Sequence, residues 1–582
     1  MSLPSPSEKH PDATAEANAD HADTGNFKLA EKSPGVVRIE AIAASLTPLT
    51  RTVLFVGLFL LGYSFGLDAI LRNVYQTYAT ASYGNHSLLT TVNVIRTVFA
   101  AAAQPTTGKL ADAFGRIETL GLSVVFYLVG TIVEASSDSL AAFCAGAVLY
   151  TLGFTIVQTL VEIIIADVTS TRSRLVASYV PNFHFVITTW VSGNISSAVL
   201  ANTTWRWGMG MWCIIFTVMA GLVIGTLTFL HLRARNSTAA PKASRWIPLD
   251  KVFWQLDVPG IILLIASLAL LLTPLTIAGG ESPKWKTAHV IAPLVIGFLC
   301  IPVFIFWQMR APHPLVPFQF LKDRGVWGPL GIALFMNFAN SMQASYLYTV
   351  LIVSFDFSVT TATRIATLFS FTSFLVGPIA GLLVYRIRRL KYFVISGTIL
   401  FLVGFGLLIR YRSGTATSDR AGVVAAEVVL GIAGGLTPYA SLASLQASLK
   451  HENLGVMTGL FLAFHSIGNA FGSTIAGAIW TQLLPSALNN NLASQPGGLQ
   501  LAALAYANPF AITAQYPVGS AVRDAVVQGY QHVTRYLCIT GLCLSLPMIG
   551  FAFCLRNPVL GGEQNLVEKR DVPPRDEDGE RV

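Results

Sequence analysis

The sequence is poor in charged residues and in cysteine for its length. Asp, Glu, Lys and Arg make up 12% of its 582 residues, whereas hydrophobic residues make up 53%. Soluble globular domains carry about twice that share of charge, so a soluble enzyme or a chain of soluble domains is excluded. The 6 cysteines lie in or beside apolar runs, which argues against the disulfide framework of a small secreted protein.

Motifs for nucleotide hydrolysis and for metal chemistry are missing as well. The chain has no G-x-x-x-x-G-K-[ST] segment, so we do not expect it to pump with ATP. Its His, Cys, Asp and Glu residues show no metal-ligand spacing, so we expect no metal site, no cofactor and no enzymatic activity. The net charge of +8 is spread over short connections between apolar runs, where membrane topology explains it better than a nucleic-acid partner does.

Long apolar runs, in contrast, are abundant. Runs of about 20 residues recur along the chain, and each can cross a bilayer core of about 30 Å as a helix. Because backbone groups in lipid must be hydrogen-bonded within the protein, such runs predict an all-α membrane protein rather than a barrel. We predict fourteen spans, at about 51–71, 88–107, 117–136, 141–166, 175–200, 207–231, 257–278, 288–309, 326–354, 362–384, 391–410, 421–447, 455–484 and 533–555.

Both chain termini are predicted to lie in the cytoplasm. An even number of spans puts them on one side, and the basic residues concentrate in the connections on that same side, as the positive-inside rule describes. Residues 1–48 are rich in Ala, Ser, Asp, Glu and Pro, which predicts a disordered tail. The sequons at Asn85 and Asn202 then face outward and are candidates for glycosylation, whereas the sequon at Asn236 is cytoplasmic.

One connection is charged in an otherwise apolar chain. The turn between the second and third spans reads GKLADAFGRIETL and begins at Gly108. Gly108 and Gly115 allow two helices to approach and turn tightly, while Asp112 and Arg116 place an acid and a base at helix ends. From these residues alone, a helix hairpin with a solvated charged turn explains the stretch equally well.

The residue spacing of this turn recurs in the second half of the chain. The turn between the tenth and eleventh spans reads GLLVYRIRRLK, and its Gly381, Tyr385, Arg388 and Arg389 are spaced like the Gly, Asp, Gly and Arg of the first turn. Two six-helix halves related by internal repetition are typical of secondary transporters, which rock about a site near the membrane midplane. The repeat therefore favours a transporter over a solvated hairpin.

The first turn resembles the cytoplasmic signature of the major facilitator superfamily, written G-x-x-x-D-x-x-G-R. The resemblance implies that Asp112 and Arg116, with Gly108 and Gly115, belong to a network that holds two halves together while the site faces outward. The number of spans narrows the resemblance. A chain of fourteen spans, with two extra helices between the halves, is similar to the drug exporters and siderophore transporters of this superfamily. The implied organisation is a cytoplasmic tail 1–48, an N-terminal half 49–232, a basic connector with two inserted helices 233–310, a C-terminal half 311–556 and a cytoplasmic tail 557–582.

Several segments are similar to the fungal siderophore-iron transporters in particular. They are GVVRIEAI before the first span, GLD within it, HSLLTTVNVIRTV, IIIADVTSTRSR and WRWGMGMW, and the likeness extends from about residue 35 to 555. The resemblance implies proton-coupled import of a ferric siderophore, of the hydroxamate type, across a fungal membrane. We expect a monomer in the plasma membrane, with a vesicular membrane as the alternative. Iron would arrive wrapped in its chelator, so aromatic and polar side chains would bind the complex.

Other transport functions stay open. Drug antiporters of the superfamily carry G-x-x-x-G-P-x-x-G-G in the fifth span, where this chain reads PNFHFVITTWVSGNIS. That difference weakens the interpretation of the chain as a proton-coupled exporter of drugs or metabolites, but it does not exclude it. An exporter or exchanger of peptides such as glutathione is a related alternative. A sensor that no longer transports would tolerate the loss of buried carboxylates and often has a long signalling tail, whereas this chain has the carboxylates and short tails.

Ionisable residues inside predicted spans are the candidates for proton coupling, because charge in a bilayer is unfavourable without a partner or a function. The candidates are Asp68, Arg96, Glu162 and Glu427. A structural alternative for Asp68 is a pair with Arg72 at helical spacing. The structural alternative for Glu162 is a buried pair with Arg96.

Candidate substrate contacts are aromatic and polar residues of the spans, each of which is explained more simply by helix packing when taken alone. They are Tyr63, Phe65, Trp190, Asn337, Gln343, Tyr346, Tyr348, Tyr439 and Asn469. The connection at residues 485–532 is predicted to be an external loop, and its last part, SAVRDAVVQGYQHV, has helical periodicity. The resemblance implies that this loop caps the outer entrance, which makes Tyr530 a further candidate contact.

Overall fold

The computed structural model describes residues 45–560, apart from 83–88, 236–248, 279–283, 317, 413, 415, 450–453, 508–511, 514 and 558, together with residues 35, 38, 39, 42 and 43. Helices make up most of these residues, and no strand occurs among them. The predicted all-α membrane fold is confirmed. Asn85 and Asn236 lie outside the described residues, and Asn202 is exposed at the end of its helix.

The helices fall into three groups along the chain. The first group consists of α1 Pro48–Ser82, α2 Leu89–Phe114, α3 Arg116–Ser136, α4 Leu140–Val168, α5 Thr171–Tyr179, α6 Phe185–Asn202, α7 Trp205–Gly210 and α8 Trp212–Arg235. The second consists of α9 Leu249–Leu256, α10 Val258–Ala278 and α11 Ala288–Arg310. The third consists of α12 Arg324–Ala344, α13 Leu347–Val353, α14 Val359–Ala366, α15 Leu368–Ile387, α16 Lys391–Arg410, α17 Thr417–Leu436, α18 Pro438–Ala447, α19 Leu454–Leu492, α20 Gly498–Ala507 and α21 Ala521–Cys554.

The described helices match the predicted spans. Among the described residues, 11 helical segments are long and apolar enough to cross a membrane. Each of them coincides with a span predicted from the sequence. The remaining predictions coincide with α2, with α5 and α6, and with α12 and α13. These segments are more polar or are interrupted by turns, which lowers their apparent hydrophobicity. The chain is therefore a multi-pass membrane protein.

The fifth predicted span is interrupted in its middle. Turns occupy residues 180–184 between α5 and α6. Pro181 has no N–H to donate, and its ring disfavours a continuing helix, so the interruption follows from the sequence. Irregular backbone at membrane depth must be covered by protein or line a cavity. Gly62 and Gly66 of α1 cover it here, because a Cβ on either would overlap Pro181 or His184.

Each half of the molecule has its own apolar core. Leu58, Tyr127 and Phe216 are fully buried in the core of the first half, and Phe405 and Leu430 are fully buried in that of the second. A smaller apolar cluster joins α2, α10 and α19. The inserted helices thus lie against the boundary between the two halves.

Asp257 anchors the inserted pair. It lies between α9 and α10 with a φ of 56° and is buried. Its carboxylate accepts hydrogen bonds from Trp307 Nε1 at 2.7 Å, from Gln308 Nε2 at 2.5 Å and from the backbone N–H of Leu315 at 3.3 Å. The two inserted helices and the chain that leads into α12 are therefore joined at one side chain.

The segment 485–532, predicted to be an external loop, is more helical than the sequence indicates. α19 continues to Leu492 and α21 begins at Ala521, so helices occupy both ends of the predicted loop 485–532. Leu484, Leu488 and Leu492 recur every fourth residue and are fully buried, which explains why α19 continues. The expectation of a long loop is corrected to a shorter connection that contains α20.

Candidate functional site

The charged turn between α2 and α3 is a buried ion-pair cluster and not a solvated hairpin. Arg116 donates to Asp167 from Nε to Oδ2 at 2.8 Å, and its Nη1 lies 3.1 Å from Asp112 Oδ1. It also donates to the carbonyl of Ala111 at 2.7 Å. Gly115 precedes α3 with a φ of 114°, which favours glycine. These bonds fix the turn to the end of α4 within the first half.

The same turn contacts the second half. A Cβ on Gly108 would lie within 3.0 Å of backbone atoms of Gly455, in the first turn of α19. A Cβ on Gly455 would lie 2.7 Å from Asp112 Oδ2, so this carboxylate lies at the amino end of α19. Free N–H groups and the helix dipole make that end electropositive, which stabilises a carboxylate there. The turn therefore closes one end of the boundary between the halves.

A second contact between the halves uses the repeated turn. Gly377 of α15 packs on the ring of Tyr179, and Gly381 packs on Val176, both in α5. Arg388 follows α15 and has a left-handed backbone, with a φ of 61°. It occupies the position in the repeated turn that corresponds to Gly115 in the first turn. The backbone thus preserves the internal repeat even where glycine is replaced by arginine.

Four charged side chains form a buried network inside the first half. Arg72 donates to Asp68 from Nη2 to Oδ2 at 3.0 Å and also to Glu134. Arg96 donates to the same Glu134, and the hydroxyl of Tyr127 donates to Asp68. Two acids and two bases balance one another, so the network can be buried without a net charge.

This network corrects one expectation. The predicted pairing of Arg96 with Glu162 is wrong, because Arg96 pairs with Glu134. The Asp68–Arg72 pair at helical spacing is present. Glu134 is missing from the sequence-based candidates, although a lone acid near the end of the apolar third span could have pointed to it.

Glu162 lies at the boundary between the halves without a cation. It is buried in α4, and its Oε1 accepts a hydrogen bond from Asn182 Nδ2 at 3.4 Å. Its Oε2 has no hydrogen-bond partner among the described residues. Asn182 lies in the interruption between α5 and α6 and also donates to Tyr439 Oη of the second half at 2.7 Å. The sequence gives no reason to single out Asn182, because only the interruption at Pro181 turns it toward Glu162.

Glu427 is the corresponding carboxyl of the second half. It is fully buried in α17, the fourth span of that half, and neither oxygen has a hydrogen-bond partner in the described part of the chain. Arg420 is directed elsewhere, because its Nη2 lies 3.8 Å from Asp356 Oδ2 and its guanidinium carbon lies 5.4 Å from the Phe357 ring centroid. Glu162 and Glu427 are therefore buried carboxyls in the fourth spans of the two halves, and neither forms an ion pair with a described residue.

Trp190 lies on a different part of the boundary. Its side chain in α6 is 52% exposed, and its ring lies 5.9 Å from the Phe371 ring of α15. The guanidinium of Arg364, in α14, lies 5.1 Å from the same indole. Cation–π and edge-to-face contacts therefore join the halves at a place distinct from the signature turns.

The remaining candidates of the first half pack around His184. The rings of Tyr63 and Phe65 lie 6.3 and 6.4 Å from its imidazole, and Phe65 is buried. His184 Nδ1 lies 2.8 Å from the carbonyl oxygen of Pro181. This group covers the interruption between α5 and α6 and lies beside Asn182 in the chain.

In the second half, polar candidates surround Ser341 of α12. Its hydroxyl donates to Asn469 Oδ1 of α19 at 2.7 Å. Asn337 lies one turn away and donates to the carbonyl of Ala333 at 3.1 Å. Asn469 is exposed and Asn337 is partly exposed, so both amides are able to reach a bound molecule.

The aromatic candidates of the second half form a column that ends at α20. Tyr346 stacks on Trp480 at 4.0 Å between ring centroids, and Trp480 lies 5.3 Å from the Tyr530 ring. Tyr530 is buried and donates to the carbonyl of Ala505 in α20 at 3.2 Å. Tyr348 is partly buried, and Gln343 lines a small cavity beside Tyr346. Tyr346 and Tyr530 therefore belong to one aromatic column within the second half.

Comparison with known folds identifies the class of protein. The family described as Major Facilitator Superfamily matches residues 330–488. The solved peptide transporter POT in complex with sulfate is 15% identical, with a TM-score of 0.53 over 89% of this chain and 99% of that chain. At this identity the likeness concerns the fold alone. Together these matches show the fold of the major facilitator superfamily.

Relatives narrow the class to a family. Siderophore iron transporter 1 of Saccharomyces cerevisiae is 40% identical over 540 residues, which cover 90% of this chain and 84% of the relative. MFS siderochrome iron transporter C of Aspergillus fumigatus is 31% identical over 555 residues, covering 92% and 90%. Low affinity heme transporter str3 of Schizosaccharomyces pombe is 27% identical over 559 residues, covering 92% and 87%. The chain belongs to the fungal siderophore-iron transporter family of the major facilitator superfamily.

Proposed function

We propose that this protein imports a ferric siderophore of the hydroxamate type by proton-coupled alternating access. The observation that carries the proposal is the 40% identity to Siderophore iron transporter 1, which extends over 90% of the chain. The protein acts as a monomer in the fungal plasma membrane, with both termini in the cytoplasm. The iron is cargo and keeps its chelator as its ligands throughout transport.

The chelate binds between the halves, outside the closed signature turns. Tyr63, Trp190, Asn337, Tyr439 and Asn469 are at least partly exposed and supply aromatic faces and amides. Small-molecule sites usually combine such apolar walls with a few polar groups that orient the ligand. Phe65, Gln343, Tyr346 and Tyr348 support this wall, and Tyr530 holds the external segment over it.

The coupled proton resides on Glu162. Asp68 and Arg96 are already satisfied by Arg72 and Glu134, so a change in their protonation would break a balanced buried network. Glu162 has no cation beside it and lies where the halves touch, so its charge is able to influence their separation. Glu427 is the second candidate because it is equally buried and unpaired.

Cellular uptake of iron tests the proposal. The protein is expressed in a fungal strain that lacks siderophore synthesis and siderophore uptake, and accumulation of radioactive iron is measured from several ferric hydroxamates and from ferric catecholates. We expect uptake of at least one hydroxamate, and we expect a protonophore to abolish it. Absence of uptake from every chelate, with the protein verified at the cell surface, would contradict the proposal, and drug efflux would then be measured in the same cells.

Haem is a second candidate cargo. The similarity to Low affinity heme transporter str3, at 27% identity over 559 residues, supports its inclusion. Haem is a flat iron complex of similar bulk that would also bind through aromatic faces. The same cells are therefore supplied with haem, and growth on haem without uptake of any ferric siderophore would favour this candidate.

A further inference from the structure

A chain of hydrogen bonds connects Glu162 to the opposite half. Asn182 Nδ2 lies 3.4 Å from Glu162 Oε1, 3.4 Å from the carbonyl oxygen of Ser178 and 2.7 Å from Tyr439 Oη. Glu162, Ser178 and Asn182 belong to the first half, whereas Tyr439 belongs to α18 of the second. The carboxyl and the inter-half contact therefore share one amide group.

That amide cannot satisfy all three acceptors. A carboxamide NH₂ has two hydrogens, so the three acceptors compete for them. An ionised carboxylate is a much stronger acceptor than a neutral carboxyl, because hydrogen bonds to charged groups are about twice as strong. The protonation state of Glu162 therefore decides how firmly Asn182 is held by Tyr439.

We infer that Asn182 is a positioning residue that makes closure of the signature end depend on protonation of Glu162. With a neutral Glu162, the N–H groups of Asn182 remain directed to Tyr439 and Ser178, and the halves stay in contact. With an ionised Glu162, the carboxylate draws an N–H group away and the contact weakens. The 2.7 Å bond to Tyr439 beside the 3.4 Å bond to Glu162 is the arrangement expected for the neutral acid.

The Asn182 amide and the Ser178 side chain are hydrogen-bonding groups at the Glu162 carboxyl, and Asn182 is also bonded to the second half. The titratable groups that face the carboxyl are the hydroxyls of Tyr179 from α5 and of Tyr439 from α18. No Lys, Arg or His forms an ion pair with Glu162 in the part of the chain that the structure describes. By linkage, opening of the signature end favours proton release from Glu162 to the water that enters.

The inference rests on the proposed proton coupling and deepens it, so its test must not depend on transport. The closed and open populations are measured as spin-label distances on purified protein in lipid nanodiscs. Labels replace Glu118 and Tyr392, exposed residues that follow the first and the repeated signature turn, in a background without native cysteines. The pH is varied between about 5 and about 8, a range in which a buried carboxyl is able to change charge.

Two tyrosines provide a matched pair of variants. Tyr439→Phe removes the inter-half bond that shares an amide with Glu162, whereas Tyr179→Phe removes a different inter-half bond, to the carbonyl of Gly435 at 2.5 Å. Both changes delete one hydroxyl and keep the ring. We expect the ratio of closed to open protein in the unmodified sequence to fall about fivefold to tenfold from low to high pH.

The expected outcomes separate the variants. Tyr439→Phe and Asn182→Ala reduce the pH effect to less than about twofold, and Glu162→Gln keeps the closed-to-open ratio of the low-pH parent protein at every pH. Tyr179→Phe lowers the closed fraction at every pH and keeps the pH effect. Equal pH dependence of the two tyrosine variants, or a pH effect that survives in Glu162→Gln, would overturn the inference. A pH effect with this pattern in a protein that takes up no ferric siderophore would instead contradict the proposed function.

Discussion

Gly108 and Gly455 bring the two halves of the transporter into backbone contact. A Cβ on Gly108 would lie within 3.0 Å of backbone atoms of Gly455. Because the contact is between backbones, only a shift of one helix, and with it one half of the protein, would make room for a side chain. We therefore expect Gly108→Ala to destabilise the closed signature end and to expose it to water. Gln104 is buried one turn before Gly108, and its carbonyl oxygen lies against Gly459 of α19. In a background without native cysteines, access of a membrane-impermeant thiol reagent to Gln104→Cys should rise several-fold.

Gly121→Ala is the matched control for that experiment. It adds the same methyl group in the neighbouring helix α3, where nothing lies within 4 Å. Unchanged reagent access in Gly121→Ala is expected. Equal access in the two variants and the parent protein would show that the glycine contact does not determine closure.

Removal of the charge of Glu134 should destabilise the first half. Glu134 accepts from both Arg72 and Arg96, so Glu134→Gln leaves two buried cations with one carboxylate between them. Breaking a buried ion pair lowers the free energy of unfolding by about 3–5 kcal/mol. Thermal unfolding in detergent should show a correspondingly large decrease in the melting temperature.

Asp138→Asn serves as the comparison for the Glu134 variant. Its carboxylate pairs with Arg206 at 3.0 Å, but the Asp138 side chain is 92% exposed. An exposed pair contributes about 0–1 kcal/mol, so little change is expected. Similar losses in the two variants would contradict the assignment of Glu134 as the centre of the network.

Substitution of Arg388 by glycine should stabilise the repeated turn. Arg388 has a φ of 61°, and a left-handed backbone is unfavourable by about 1–2 kcal/mol for a residue other than glycine. We expect Arg388→Gly to raise the free energy of unfolding by about 0.5–1 kcal/mol, measured by denaturation in mixed micelles. Arg389→Gly, at an adjacent residue without a positive φ, should be neutral or destabilising, and a gain there would contradict the explanation.

Loss of the Asp257 carboxylate should loosen the inserted helices from the transporter. Asp257→Asn places an NH₂ group against some of the four N–H donors whose hydrogen bonds the carboxylate accepts, the fourth being the backbone N–H of Gly260. Leaving a buried donor unsatisfied lowers stability by about 1–3 kcal/mol. Hydrogen exchange should increase at residues 258–278 and 288–310. Confinement of the increase to α19 would contradict the anchoring role.

The sequence was sufficient to predict the helical fold because each span is itself a local signal. Apolar length predicts a span, and the pattern around Gly108 predicts a turn, without knowledge of the partner helices. The repeated turn at Gly381 likewise predicts the two related halves. These features depend on neighbouring residues in the chain, which a single sequence contains.

The partners of buried charges could not be predicted in the same way. Arg96 pairs with Glu134, which is 38 residues away, and not with Glu162. The link from Glu162 to Tyr439 depends on Asn182, whose orientation follows from the interruption at Pro181. Such contacts depend on how helices rotate against one another, and apolar periodicity alone does not determine that rotation. The extension of α19 beyond the predicted span was missed because its final turns combine buried leucines with polar Asn residues.

In the proposed mechanism, a proton carried by Glu162 drives accumulation of a ferric siderophore. Purified protein is reconstituted in proteoliposomes, and both accumulation under an inward proton gradient and exchange of labelled for unlabelled chelate without a gradient are measured. We expect Glu162→Gln to retain exchange within about twofold of the parent, because the chelate still binds, and to lose gradient-driven accumulation. Accumulation by Glu162→Gln under the gradient, at a level equal to the parent protein, would contradict the claim.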